Sequence, residues 1–161
     1  ELVYEAIERS IVKLKMFMSW AQQKPTHKNV KENIRKAIAK FMNREELRFH
    51  LFIKETNEFV GVLGLQHIDW TIPKFEIGYW IDERWSGKGY MTEAVHSMTL
   101  FAFEDLGANR LEIRCDRDNI RSRAVAEKNH FELEGILKQD SRNANTHQLR
   151  DTCVYAKISL M

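Results

Sequence analysis

The sequence predicts a mixed α/β fold of the α+β kind: helices first, an antiparallel strand meander next, and a β-α-β-α-β unit last. Three observations predict it. Apolar residues recur at helical spacing through the first third of the chain. Between Arg48 and Asp82 they alternate instead, as on strands with one buried face. From Tyr90 onward the two periods take turns, so one sheet must hold parallel as well as antiparallel neighbours. Residues 1–161 are read as one domain.

Each element has its own signature. Val3, Ile7, Ile11, Leu14 and Met18 mark a first helix, broken from Trp20 to Thr26 with Pro25 as punctuation. Val30, Ile34, Ala37, Ile38 and Phe41 mark a second, with Asn29 and Glu32 as its expected cap. Arg48 to Glu55 reads as a strand with Phe49, Leu51 and Ile53 on one face, turning at Thr56-Asn57. Phe59 to His67 follows, with Gly61 and Gly64 admitting a close neighbour. Lys74 to Asp82 alternates Phe75, Ile77, Tyr79 and Ile81. Tyr90 to Leu106 is the strongest helix, ended by Gly107. Arg110 to Cys115 is a strand, Asn119 to Lys128 a short helix with Asn129 and His130 at its end, and Phe131 to Lys138 a strand. Gln148 to Ser159 closes the sheet, and the polar stretch Gln139 to His147 reads as a loop.

Composition excludes several functions. Twenty-five basic against 23 acidic residues leave a net charge of +2, which offers no footprint for nucleic acid and no charged tail. No apolar stretch approaches the about 18 residues of a membrane helix. Cys115 and Cys153 lack metal spacing, as do the six histidines, so no metal is expected. Two reduced thiols fit a cytoplasmic protein. No secretory leader is visible, but the chain opens on Glu1 rather than Met, so residues upstream are expected to be absent.

The chemistry points to Ser86-Gly87-Lys88-Gly89-Tyr90-Met91, where a strand hands over to the long helix. Small residues let the backbone approach a ligand, and first-turn amides with the helix dipole favour phosphate oxygens. Lys88 adds positive charge. The main chain from Gly87 through Thr92 is therefore expected to bind a pyrophosphate. The loop is neither a Walker A motif nor a dinucleotide fingerprint: Gly89 follows Lys88 where Ser or Thr would stand, and the third glycine is missing.

Glu76-Ile77-Gly78-Tyr79-Trp80 precedes this loop, and Asn119-Ile120-Arg121-Ser122 begins the next helix. Together with the loop they resemble the GNAT superfamily of N-acetyltransferases, in its RimJ/RimL-like branch. The resemblance runs from about Trp20 to the C-terminus and is densest from Glu76 to Lys138. It implies a mostly antiparallel central sheet with splayed strands, flanked by helices, and acetyl-CoA as co-substrate. The family's loop pattern, Gln/Arg-x-x-Gly-x-Gly/Ala, falls on Ser86, Gly89 and Met91, departing at Ser86 and Met91. The splayed strand's main chain falls on Tyr79, Trp80 and Ile81, and the pantetheine-contacting Asn on Asn119.

Acetyl transfer needs a neutral amine, donors for the thioester oxygen and a proton for the departing sulfur. The amide of Ile81 or Trp80 is the candidate oxygen donor. Many relatives carry a Tyr where this chain has Ala126, so Ser122 is the candidate at the sulfur, against a plain helix-capping role. Glu112 is the candidate base, against an ion pair with Arg110 or Arg114; Glu76 is its rival, and the branch's own base position, near Ser141, holds no carboxylate. Trp20 and Trp70 are expected to wall the acceptor cleft. The acceptor is expected to be a protein N-terminal α-amine or a small amine, its determinants on 20–26, 69–73 and 139–147. The alternatives are a non-catalytic acyl-CoA-binding module and a generic nucleotide-binding domain. The family usually begins with a strand that this chain lacks. Either it was removed or disordered, or the fold does without it. A bare sheet edge there favours a homodimer.

Overall fold

The computed structural model describes residues 1–143 and 146–160. The elements run α1 (Leu2–Phe17), α2 (His27–Met42), β1 (Leu47–Phe52), β2 (Phe59–Asp69), β3 (Lys74–Ile81), α3 (Tyr90–Glu104), β4 (Arg110–Asp116), α4 (Ile120–Lys128), β5 (Glu132–Arg142) and β6 (Leu149–Lys157). Short 3₁₀ turns at Ser19–Ala21 and Glu83–Trp85 lie between them. The strands form one sheet in the order β1-β2-β3-β4-β6-β5. Every pairing is antiparallel except β3 with β4. This is the mixed sheet that the alternation and the closing β-α-β-α-β run predict, mostly antiparallel as the family resemblance implies.

Alternation decides which face is buried. Leu63, Leu65, Phe75, Ile77, Leu111, Ile113 and Tyr155 pack with Met91, Val95, Met98 and Ala102 of α3 into the main core. Fully burying one of these Leu, Ile, Val, Phe or Met side chains contributes about 1.5–3 kcal/mol. Ala6 of α1 packs with Phe59 and Val62, and Ile7 and Leu14 pack around Trp80, which puts α1 on the opposite face. A Cβ at Gly64 would come within 2.7 Å of the Leu47 carbonyl oxygen, so this glycine does admit a close neighbour.

The structure moves several boundaries. Thr26, not Asn29, caps α2: its Oγ1 accepts from the Asn29 amide at 3.1 Å. β1 stops at Phe52, because the Ile53 amide already turns to the Glu58 carbonyl, and Asn57 takes φ of 57°. His130, rather than Asn129, takes the left-handed conformation after α4. The polar stretch read as a loop is largely strand. β5 continues to Arg142, with a register shift between Leu137 and Ser141, and the Asp151 carboxylate accepts from the Gln139 amide. Of that stretch, Ala144 and Asn145 lie outside the described residues.

The feature that positions the site is the β3–β4 seam. The two strands pair only at Lys74–Arg110, Phe75–Leu111 and Glu76–Glu112. Beyond Glu76 each strand continues with no partner across the seam, and the sheet opens into a wedge.

Candidate active site

Register fixes what the wedge offers. The Asp82 amide donates to the Val60 carbonyl at 2.8 Å, and Trp80 lies opposite Val62. Main-chain bonding in an antiparallel pair alternates, so Trp80 shares the inward set facing β2. The amides of Tyr79 and Ile81 face the other way, into the opening. The Tyr79 hydroxyl crosses the wedge to α4, 2.9 Å from Ser122 Oγ and 3.1 Å from the Ser122 carbonyl. Burial, partly offset by the Ser122 hydroxyl, pushes the Tyr79 phenol well above its ordinary pKa, so it keeps its proton.

Past the wedge the chain is held tightly before it is freed. Asp82 is fully buried. Its carboxylate accepts from the amide and guanidinium of Arg84 and from Arg9 Nη2 of α1 at 2.8 Å. Burial alone would raise its pKa, but these hydrogen bonds outweigh it and hold the carboxyl below its ordinary value. Ser10 Oγ accepts from the Glu83 amide, and Lys13 pairs with Glu83. Trp85 Nε1 donates to the Phe59 carbonyl. Gly87 and Gly89 then take φ of 79° and 91°, a region open to glycine at no steric cost. Gly89 is the N-cap of α3 and brings no side-chain acceptor, so the first-turn amides keep their bonding capacity.

Two clefts meet at the wedge. One, of about 510 Å³, lies between α1, the glycine loop and the start of α4. It is lined by Tyr79, Trp80, Ile81, Ser86, Gly87, Gly89, Met91, Thr92, Asn119 and Ser122. The second, of about 770 Å³, lies on the other side under α1, α2 and the segment from Met18 to Pro25. Tyr79, Trp80, Asn119 and Ser122 belong to both. The first cleft offers what a diphosphate with a long arm requires: a Cβ-free loop, uncapped helix amides and an apolar channel beyond them.

The structure thus brings most of the singled-out residues to one place, but not all. Lys88 lies outside both clefts with its ammonium 4.6 Å from the Trp85 ring centre, and Tyr90 stands edge-on to that ring. Asn119 Oδ1 accepts from the Ser122 amide, so Asn119 also caps α4. Glu112 lines neither cleft; Arg110 Nε donates to it at 2.7 Å, and Arg110 is shared with Glu134. Glu76 does line the larger cleft, held by Gln66 Nε2 at 2.9 Å and His67 Nδ1 at 2.8 Å. Trp20 lines that cleft. Trp70 does not: it packs edge-on against Phe75 and donates to the Arg44 carbonyl.

Some site features were not anticipated. Cys115 lines the larger cleft, its thiol pushed up to about 11 by burial against the lowering contact of Ser122. Nor does the sequence pattern point to the side chain of Tyr79 or to the Asp82–Arg9 clamp. A charged residue ending an apolar strand was the available signal for Asp82. Among the described residues no group of His, Cys, Asp and Glu could hold a metal ion, and no helix is long and apolar enough to cross a membrane.

Residues 4–132 match the model of the acetyltransferase (GNAT) domain. The chain belongs to the GNAT family. It is an acetyl-CoA-dependent N-acetyltransferase, a reading its relatives share. It is 29% identical over 160 residues to the ribosomal-protein-serine acetyltransferase of Escherichia coli, covering 97% of this chain and 85% of that protein. It is 41% identical over 75 residues to a putative ribosomal N-acetyltransferase, YdaF, of Bacillus subtilis, covering 47% of this chain and 41% of the relative. Among solved structures it is similar to RimL, a ribosomal L7/L12 α-N-protein acetyltransferase, in complex with coenzyme A as a disulfide to a cysteine. That match has a TM-score of 0.89 at 26% identity, over 96% of this chain and 85% of the other. The microcin C7 self-immunity acetyltransferase MccE, solved with acetyl-CoA and AMP, matches with a TM-score of 0.86 at 27% identity, over 97% and 84% of the two chains.

Proposed function

We propose that this GNAT enzyme acetylates a protein N-terminal α-amine, of the kind its ribosomal-protein-modifying relatives act on. The observation that carries the reading is the meeting of two clefts at Tyr79, Trp80 and Ser122. Acetyl-CoA enters from the glycine-loop side and supplies an activated acetyl group. The acceptor enters from the side walled by Trp20 and Glu76, a cleft large enough for the first residues of an extended peptide.

The chain's own groups then have distinct tasks. The amide of Ile81, turned into the wedge, meets the acetyl oxygen as it gains negative charge. Trp80, whose amide is turned to β2, lines both clefts. Glu76 takes the proton that the amine loses, directly or through water, in preference to Glu112, which is held by Arg110. Ser122, oriented by the Tyr79 hydroxyl, gives a hydrogen bond to the sulfur as the carbon–sulfur bond breaks.

The test is thiol release from acetyl-CoA against peptides, polyamines, amino acids and aminoglycosides. Peptides with a free α-amine should turn over, and the same peptides blocked at that amine should not. Turnover confined to small amines would overturn the acceptor assignment. Ser122→Ala should slow turnover while leaving coenzyme A affinity unchanged; wild-type turnover would remove Ser122 from the reaction.

A further inference from the structure

The cations around the acetyl-CoA cleft differ in how far they are already engaged. Arg84 is bound to Asp82, Lys13 is paired with Glu83, and Lys88 lies over the Trp85 ring. Two cations lining the cleft, Lys128 at the end of α4 and Arg121 in its first turn, form no ion pair among the described residues, and of the two it is Arg121 that bonds to the glycine loop. Its Nη1 donates to Ser86 Oγ at 2.8 Å, and it forms no ion pair among the described residues, not even with nearby Asp118.

Geometry makes this contact informative. Ser86 belongs to the loop before α3, and Arg121 to the helix across the cleft. Both residues line the cleft, so their bond links two of its walls and holds a guanidinium beside the glycine loop. A guanidinium carries five N–H donors in a planar fork, so one bond to a hydroxyl leaves most of them available. Its neighbours across the gap are the uncapped first-turn amides of α3, which are donors as well. Donors converging from two elements, with positive charge and no carboxylate bound to it, match a diphosphate. Ser86 brings no charge to the loop, and its Oγ accepts from Arg121. Its hydroxyl serves instead as the dock that aims Arg121.

We propose that Arg121, docked on Ser86, is the side chain that clamps the diphosphate of acetyl-CoA, closing the glycine loop from the opposite helix. The inference rests on the acetyl-CoA reading above and adds to it a binding residue outside the loop. It also accounts for the loop's departure at Ser86: the cationic donor has moved to the facing helix.

Calorimetry with coenzyme A and dephospho-coenzyme A tests this on the intact chain. Arg121→Ala should weaken both ligands to a similar degree, by roughly tenfold to a hundredfold for the loss of a charge-assisted hydrogen bond. Ser86→Arg in the Arg121→Ala background should restore most of that loss by returning the cation to the loop. Arg121 is exposed, so thermal melts of wild type and variant should coincide. Wild-type affinity in Arg121→Ala would overturn the proposal. So would a loss seen with coenzyme A but not its dephospho form, because Arg121 would then be reading the 3′-phosphate. Failure of the wild-type chain to bind coenzyme A at all would instead strike the acetyl-CoA reading, and the clamp would fall with it.

Discussion

The two clefts that share Tyr79 and Ser122 are made of different materials. The donor cleft is largely backbone: two glycines at positive φ, the amides that open α3, and the main chain of β3 turned into the wedge. The cleft proposed for the acceptor is walled by side chains from α1, α2, β1, β2, β3 and β4 and the turn before β1, with Glu46, Arg48, Glu76 and Arg114 among them. A backbone site constrains residue types directly, since few residues tolerate φ near 90°. A side-chain site is specified only when distant segments fold together. The first can hold one co-substrate across many sequences, while the second is free to change its acceptor.

Four substitutions sharpen this contrast. The largest effect is expected at the acceptor side. Glu76→Gln should lower turnover by about 100-fold or more, as loss of a general base does, with little change in coenzyme A affinity. Glu112→Gln should cost far less. Equal losses in steady-state kinetics would remove the distinction between the two carboxylates.

Asp82→Ala comes next and acts on stability. Breaking the hydrogen bonds to Arg9 and Arg84 should cost about 2–3 kcal/mol in denaturant unfolding. Asp82 binds its proton less tightly in the folded chain than in the unfolded one. Its stabilisation is therefore complete above the unfolded value of about 4 and fades as pH falls through the lower folded value. The gap between wild type and variant should be widest at pH 7 and close in acid. A gap independent of pH would mean that the clamp does not act through the ionised carboxylate.

The smallest effect is expected at Gly89. An added Cβ meets no atom within 4 Å, so the cost of Gly89→Ala is conformational, about 1–2 kcal/mol from φ of 91°. Coenzyme A affinity should drop while the acceptor KM stays put. A change in acceptor KM alone would show that the two clefts are not separable.

Much of this was legible in the sequence. Alternation at Phe75, Ile77, Tyr79 and Ile81 gave β3 and its buried face, and the glycines of the loop marked the turn. Polar Gln139 to Arg142 hid the end of β5, because a strand exposed on both faces shows no alternation. Thr26 has Asn29 rather than Glu or Gln three residues on, so the local capping pattern points to Asn29 with Glu32 instead. Tyr79 and Ser122 are 43 residues apart, and Arg9 and Asp82 are 73 apart, separations over which no local rule operates. Trp20 and Trp70 looked alike on loops, yet only tertiary packing sends one to the cleft and the other to the core.

The three-pair seam between β3 and β4 has a mechanical side. Beyond it the halves of the sheet part company, leaving Tyr79 and Ile81 with main-chain groups turned to no neighbouring strand. An amide-bearing arm lying in that slot would act as a surrogate strand, satisfying edges that the polypeptide leaves bare. The co-substrate then completes the architecture while it reacts, so the sheet should be most rigid when loaded and loosest between turnovers.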